Sequence, residues 1–121
     1  MNGKSVYPPV SYMSSVHHTV FLFLRPMDAT TGAAIDKQLN LCRLWIPGLV
    51  ELHFGHSLAL RDDGNDVEGD RPSHVIWSRH VSGSALEEYL FHPEHLALSA
   101  LLKRQARRPA VALDSYHRGK L

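Results

Sequence analysis

From Val16 to Arg25 the chain alternates over a run rich in β-branched and aromatic residues, which predicts a strand ended by Pro26 and Asp28. His18, Val20, Leu22 and Leu24 then share one face, with Thr19, Phe21 and Phe23 on the other. Both faces carry apolar residues, so both call for cover. Beyond Thr30 or Thr31, either of which can cap a helix, the pattern changes to helical spacing. Ile35, Leu39, Cys42 and Ile46 recur at steps of four, three and four. Pro47-Gly48 ends that helix. Residues Leu49 to Leu60 form a second strand candidate, followed by a polar loop over 61 to 72 with Asp62, Asp63, Asp66, Glu68 and Asp70. The acidic side chains are not spaced as calcium ligands of an EF-hand, and a solvated loop is expected. His74 to Val81 reads as a third strand, Ser84 to Leu90 as a short helix, Pro93 to Gln105 as another, and Ala110 to Tyr116 as the last strand after Pro109.

This order is that of an α+β, ferredoxin-like βαββαβ fold: a four-stranded antiparallel sheet with its helices on one face. The opposite face needs a partner. Thr19, Phe21, Phe23, Val75, Trp77, Val111 and Leu113 have the parity opposite to His18, Val20, Ile76 and Ala112. One set faces the helices and the other a second sheet, so that two copies would close a dimeric α/β barrel. Small Ala110 and Ala112 on the helix side leave room for a pocket above the sheet.

The length of 121 residues suits one domain, assigned to residues 16–121 and preceded by a flexible leader at 1–15. Thirteen Lys and Arg against twelve Asp and Glu leave a formal charge of +1, so no global field favours nucleic acid or an anionic membrane. Cys42 is the only cysteine, which excludes an intrachain disulfide and suits a reducing, cytoplasmic compartment. No signal-type apolar run and no stretch of about 18 apolar residues is present, so neither export nor a membrane span is expected. The compositional excess is histidine, nine in all.

Two of these histidines lie in Tyr89-Leu-Phe-His92-Pro93-Glu-His95, which places a phenol and two imidazoles around a proline-marked helix start. Tyr donates a hydrogen bond to a carbonyl oxygen, and neutral His removes a proton near neutral pH. With Pro93 at the first helical position, His95 falls in the first turn, where the helix dipole disfavours imidazolium. His92 reads as an anchor of that start through a backbone hydrogen bond.

The segment resembles the stress-responsive A/B barrel family of dimeric α/β barrels, whose signature is a tyrosine near a short helix followed by His-Pro-x-His. Val16-His17-His18-Thr19-Val20-Phe21-Leu22-Phe23 looks like that family's opening strand, Ile46-Pro47-Gly48 like its first helix end, and Ser73-His74-Val75 like the start of its third strand. Asp114-Ser115-Tyr116 is loosely similar to the closing strand. The resemblance implies that Tyr89 and His95 are the catalytic pair of a polyketide cyclase. His18 and His74 would line the same cavity, with Val20, Leu22, Ile76 and Leu90 against the substrate. It further implies a homodimer, a polyketide-like small-molecule substrate, and aldol-type cyclisation or dehydration with no cofactor and no metal. Glu94 departs from the small residue common between the two motif histidines.

Three rival readings stand beside this one. The same fold and histidines could serve a non-enzymatic, ligand-sequestering homodimer. His53 and His56, or His92 and His95, have two-ligand metal spacing but need not converge. Lys103, Arg104, Arg107 and Arg108 could meet a phosphate, although a solvated helix end accounts for them too. Neither Ser78 nor Ser99 sits in a nucleophile elbow, no Gly-rich phosphate loop follows a strand, and His80 and His117 have no visible partner.

Overall fold

A computed structural model describes residues 15–58 and 71–117. The elements run β1 (Ser15–Leu24), α1 (Ala29–Trp45), β2 (Leu49–His56), β3 (His74–His80), α2 (Gly83–Phe91), α3 (Pro93–Gln105) and β4 (Ala106–His117). The four strands form one antiparallel sheet in the order β2-β3-β1-β4, so the chain has the ferredoxin-like α+β fold. All but Ser15 of the expected leader, and residues 61–70 of the expected acidic loop, lie outside the described residues.

Local chemistry sets most element boundaries. Asp28, rather than Thr30 or Thr31, caps α1: its carboxylate accepts the Thr31 backbone N–H at 2.8 Å. Helix α1 ends where Pro47 cannot continue it and Gly48 turns at φ 78°. That glycine is also sterically required, because a Cβ there would meet the Ala85 Cβ at 2.7 Å. Pro93 opens α3 as expected, and His92 caps it by accepting the Glu94 N–H on Nδ1 at 3.1 Å.

Strand β4 starts at Ala106, four residues before the expected Ala110, and therefore contains Pro109. An edge strand tolerates this residue, since a missing N–H on the outer side breaks no ladder bond. The pairing with β1 shifts register between Phe21 and Phe23 and again between Phe23 and Leu24, with Phe23 opposite Arg108. The extra residues of both shifts lie in β4, so β1 keeps its own alternation. Phe23 stands between Leu22 and Leu24 of the core and is 5% exposed, with the Arg107 and Arg108 guanidinium carbons 5.6 and 4.3 Å from its ring centroid.

The main core lies between sheet and helices. Ile35, Leu39, Cys42 and Ile46 of the expected α1 stripe are all buried, packed with Leu52, Ile76, Leu86 and Leu98. Full burial of each Leu or Ile stabilises the fold by roughly 1.5–3 kcal/mol relative to exposure. The outer face is different: Phe21, Val111 and Leu113 are 37%, 52% and 62% exposed. Beside them the Trp77 ring stacks on His53. No helix among the described residues is long and apolar enough to cross a membrane.

Candidate active site

Helix α2 delivers Tyr89. Ser82 caps its start by accepting the Ala85 N–H at 3.0 Å, and Ala85, Leu86 and Tyr89 then point into the core. At His92 the backbone becomes extended (φ −67°, ψ 139°), and Pro93 restarts the chain as α3. This break lets residues six apart in sequence meet: the Tyr89 and His95 ring centroids are 4.4 Å apart.

The histidine in this pair is held in one tautomer. His95 Nδ1 lies 3.1 Å from the Leu90 carbonyl oxygen, which only accepts, so Nδ1 carries the proton and Nε2 is the basic nitrogen. Burial depresses the His95 pKa below its ordinary value, with the Leu90 carbonyl pulling the other way. The imidazole is therefore neutral and basic at pH 7. Burial pushes the Tyr89 pKa upward, so this fully buried side chain stays a phenol and a proton donor.

His18 approaches from β1, its ring centroid 6.0 Å from that of Tyr89. Its Nδ1 donates to the Asp114 carboxylate at 2.5 Å, across a β1–β4 register pair. Asp114, in the segment matched to the closing strand, thereby orients the His18 ring. No local sequence signal joins two residues 96 positions apart; only strand register does.

A third histidine belongs to the site although the sequence shows no partner for it. His80 is fully buried, its ring centroid 4.6 Å from Tyr89, and its Nε2 lies 2.8 Å from Ser78 Oγ. His80 Nδ1 has no hydrogen-bond partner among the described residues. An orphan buried N–H is less tolerable than an orphan acceptor, so Nε2 carries the proton and donates to Ser78. The Ser78 hydroxyl in turn donates to the His18 carbonyl oxygen at 3.4 Å, and its closeness to Tyr89 opposes the effect of burial on the phenol. Burial holds His80 down to about 4, and it is neutral at pH 7. The usable signal was parity: Ile76, Ser78 and His80 share the face of β3 that looks toward the helices.

A cavity of about 340 Å³ lies between the sheet and α3. Tyr89, His95 and His18 line it together with Val20, Leu22 and Ile76, as the sequence reading expects. On α3 the lining residues are His95, Leu98, Ser99, Leu102 and Lys103, one helical stripe. The volume sits at the lower end of small-molecule sites, about 300–1,000 Å³.

Two expected members are elsewhere. His74 is on the same face of β3, but pairs with Leu22 whereas Ser78 pairs with His18. Four residues of strand, about 13 Å, separate those positions. There it bonds Ser73 Oγ at 2.8 Å and stacks on Phe54, outside the cavity lining. Leu90 packs against the core instead of lining the cavity; its carbonyl is what anchors His95. His53 and His56 are exposed on β2, and no three His, Cys, Asp or Glu side chains among the described residues converge on a metal position.

By architecture, then, the molecule is a ferredoxin-like protein with a histidine- and tyrosine-lined cavity. No family model matches the chain, and no curated protein does. Solved structures do. A dimeric ferredoxin-like protein of unknown function from Thermobifida fusca superposes with a TM-score of 0.66 at 15% identity, covering 95% of this chain and 99% of that one. The hydroxynitrile lyase of Passiflora edulis gives 0.69 at 15% identity, covering 90% and 98%. SnoaB, a cofactor-independent oxygenase from Streptomyces nogalater, gives 0.61 at 16% identity, covering 89% and 97%. At these identities the likeness is one of fold, and the resemblance read in the sequence holds at that level.

Proposed function

We propose that the chain is a homodimeric enzyme that folds a poly-β-carbonyl substrate into its cavity and catalyses intramolecular aldol-type cyclisation or the associated dehydration. The observation that carries this reading is the approach of Tyr89 to His95, with the His95 tautomer locked by Leu90. His95 Nε2 takes a proton from a methylene between two carbonyls. The Tyr89 hydroxyl donates to the oxygen that becomes an enolate. The carbanion attacks a second carbonyl of the same chain, a C–C bond forms, and the new alkoxide takes back the proton held by His95. Loss of water from that aldol gives the dehydrated ring.

The sequence is redox-neutral and requires only proton transfer, for which a positioned acid and base typically contribute about 10²- to 10⁴-fold each. Apolar walls from Val20, Leu22 and Ile76 hold the chain folded and add an orientation effect. A lyase and a cofactor-independent oxygenase on this fold support an enzymatic reading. For the homodimer, the support is the exposed apolar face around Phe21, Val111 and Leu113, with the dimeric ferredoxin-like protein of the same fold.

The test supplies purified protein with poly-β-ketones made in situ by a polyketide synthase, and identifies products by mass spectrometry and NMR. A ring product made by wild type and lost in folded Tyr89→Phe and His95→Gln supports the cyclase. Identical spontaneous products in every sample overturn it in favour of a non-enzymatic ligand-binding dimer.

A further inference from the structure

His56 and His74 meet outside the cavity lining, as register partners of the β2–β3 ladder, with ring centroids 4.6 Å apart and 43° between the ring planes. We propose that this cross-strand pair is a binding site for a divalent transition ion such as Cu²⁺ or Zn²⁺, held by two imidazole nitrogens and completed by water. The site is separate from the reaction proposed above. It lies about 13 Å along β3 from Ser78 and His18, and no step of the acid/base chemistry passes through it.

Strand register explains why these two histidines converge while those adjacent in sequence do not. His53 and His56 are three apart on one strand, so their side chains leave opposite faces, and His53 stacks on Trp77 on the outer side. His56 lies directly opposite His74, and side chains so placed share a face with Cβ atoms about 4.5–5.5 Å apart. Two nitrogens bound to one tetrahedral zinc ion are about 3.4 Å apart. His56 is exposed, and a turn about its broad χ2 torsion brings a ring at this separation to that geometry.

A second, independent observation is the state of His74, which is 7% exposed. Ser73 Oγ accepts the Leu24 N–H at 2.8 Å and donates its one hydrogen to the Leu22 carbonyl oxygen at 3.3 Å. Toward His74 Nδ1, 2.8 Å away, the hydroxyl therefore only accepts, so Nδ1 carries the proton and Nε2 the lone pair. That lone pair is buried and has no hydrogen-bond partner among the described residues. A buried acceptor left unmade costs free energy, which a bound ion removes. Fixing the far ring nitrogen by a hydrogen bond is also how metal-ligating histidines are oriented. The Phe54 ring, stacked on His74 with 7° between the planes, holds the imidazole plane. Burial foremost, and His56 beside it, keep the His74 pKa below its ordinary value, so the ring is neutral at pH 7, as a ligand must be.

Ligand type sets the class of ion. Neutral imidazoles suit copper, nickel and zinc, whereas magnesium and calcium take oxygen ligands. No third His, Cys, Asp or Glu among the described residues joins the pair, so water supplies the remaining positions. An ion held here ties the end of β2 to the start of β3 and stabilises the folded chain by mass action.

Calorimetric titration of the full chain with copper, zinc and magnesium chlorides tests the site, with His56→Asn, His74→Asn and the control His53→Asn alongside. Wild type is expected to bind Cu²⁺ and Zn²⁺, Cu²⁺ the tighter, and to give no heat with Mg²⁺. His56→Asn should weaken Cu²⁺ and Zn²⁺ binding by at least about tenfold, and His53→Asn should leave it unchanged. Because His56 is exposed, its replacement keeps the fold intact even where His74→Asn does not. Zn²⁺ should raise the Tm of the wild type and leave that of His56→Asn unmoved. In NMR spectra, substoichiometric Cu²⁺ should broaden the His56 and His74 ring signals before those of the other histidines. Absence of binding, equal affinity of wild type and His56→Asn, or earlier broadening of other imidazoles overturns the proposal. No turnover is measured, so the outcome is readable whatever the cyclisation assay gives.

Discussion

Tyr89 rests on His80, ring centroids 4.6 Å apart, and the imidazole beneath it has one nitrogen without a hydrogen-bond partner among the described residues. A neutral imidazole tolerates that position; an imidazolium does not, because its second N–H would be buried and unpaired. Acid therefore strains the fold beneath the site. Here the folded pKa is about 4 against an ordinary 6.5, so between these values the unfolded chain binds more protons and stability falls as pH falls.

The first prediction follows from that sign. The wild type is expected to lose up to about 3 kcal/mol of unfolding free energy at this residue between pH 6.5 and 4. His80→Phe keeps a ring of similar size and removes the titration. Urea unfolding across this range should show a shallower acid dependence in the variant, with a residual slope from His95 and His74, whose pKa values are also depressed by burial. Parallel slopes would mean that His80 does not titrate in a buried, strained setting.

His95 predicts a kinetic signature. Because burial lowers its pKa, the basic Nε2 persists below the ordinary imidazole value of 6.5. The acid limb of kcat/KM for any carbonyl substrate processed here should have its midpoint below 6.5, and His95→Gln should remove at least about a hundredfold of activity. A limb centred above that value would assign the base to another group.

Gly48 tests the turn that joins α1 to β2. At φ 78°, with Ala85 Cβ only 2.7 Å from where its own Cβ would sit, Gly48→Ala combines backbone strain with overpacking. The expected cost is about 1–3 kcal/mol, seen by calorimetry as a Tm lower by several degrees. An unchanged Tm would show that α2 shifts freely against the turn.

The outer sheet face predicts assembly. Leu113→Glu together with Phe21→Glu places carboxylates on side chains that are 62% and 37% exposed in the single chain. Sedimentation velocity should show a dimer for the wild type and a monomer for the variant, with a far-UV spectrum unchanged. A wild type that stays monomeric at high concentration would dismiss the sheet-to-sheet pairing.

Much of the fold was legible because it is written in local signals. Alternation in β1 and β3, the α1 stripe from Ile35 to Ile46, and Pro93 as a helix start each depend on residues a few positions apart. The Tyr89–His95 pair was reached through the resemblance of its motif, whereas its closeness needed the break at His92. Parity placed His18 and His74 on one face correctly but said nothing of depth along it, which is why His74 falls outside the cavity.

The sequence by itself determined the element order, the two-faced character of the sheet and the residue types of an acid/base site, because backbone propensity and side-chain period act over one or two turns. Tertiary structure alone decided that Ser78 and His80 sit beneath Tyr89, that Asp114 orients His18, and that Arg108 stacks on Phe23. These are matters of cross-strand register and of how a helix settles on a sheet. Both are set by packing between segments far apart in the chain, where no local period carries the information.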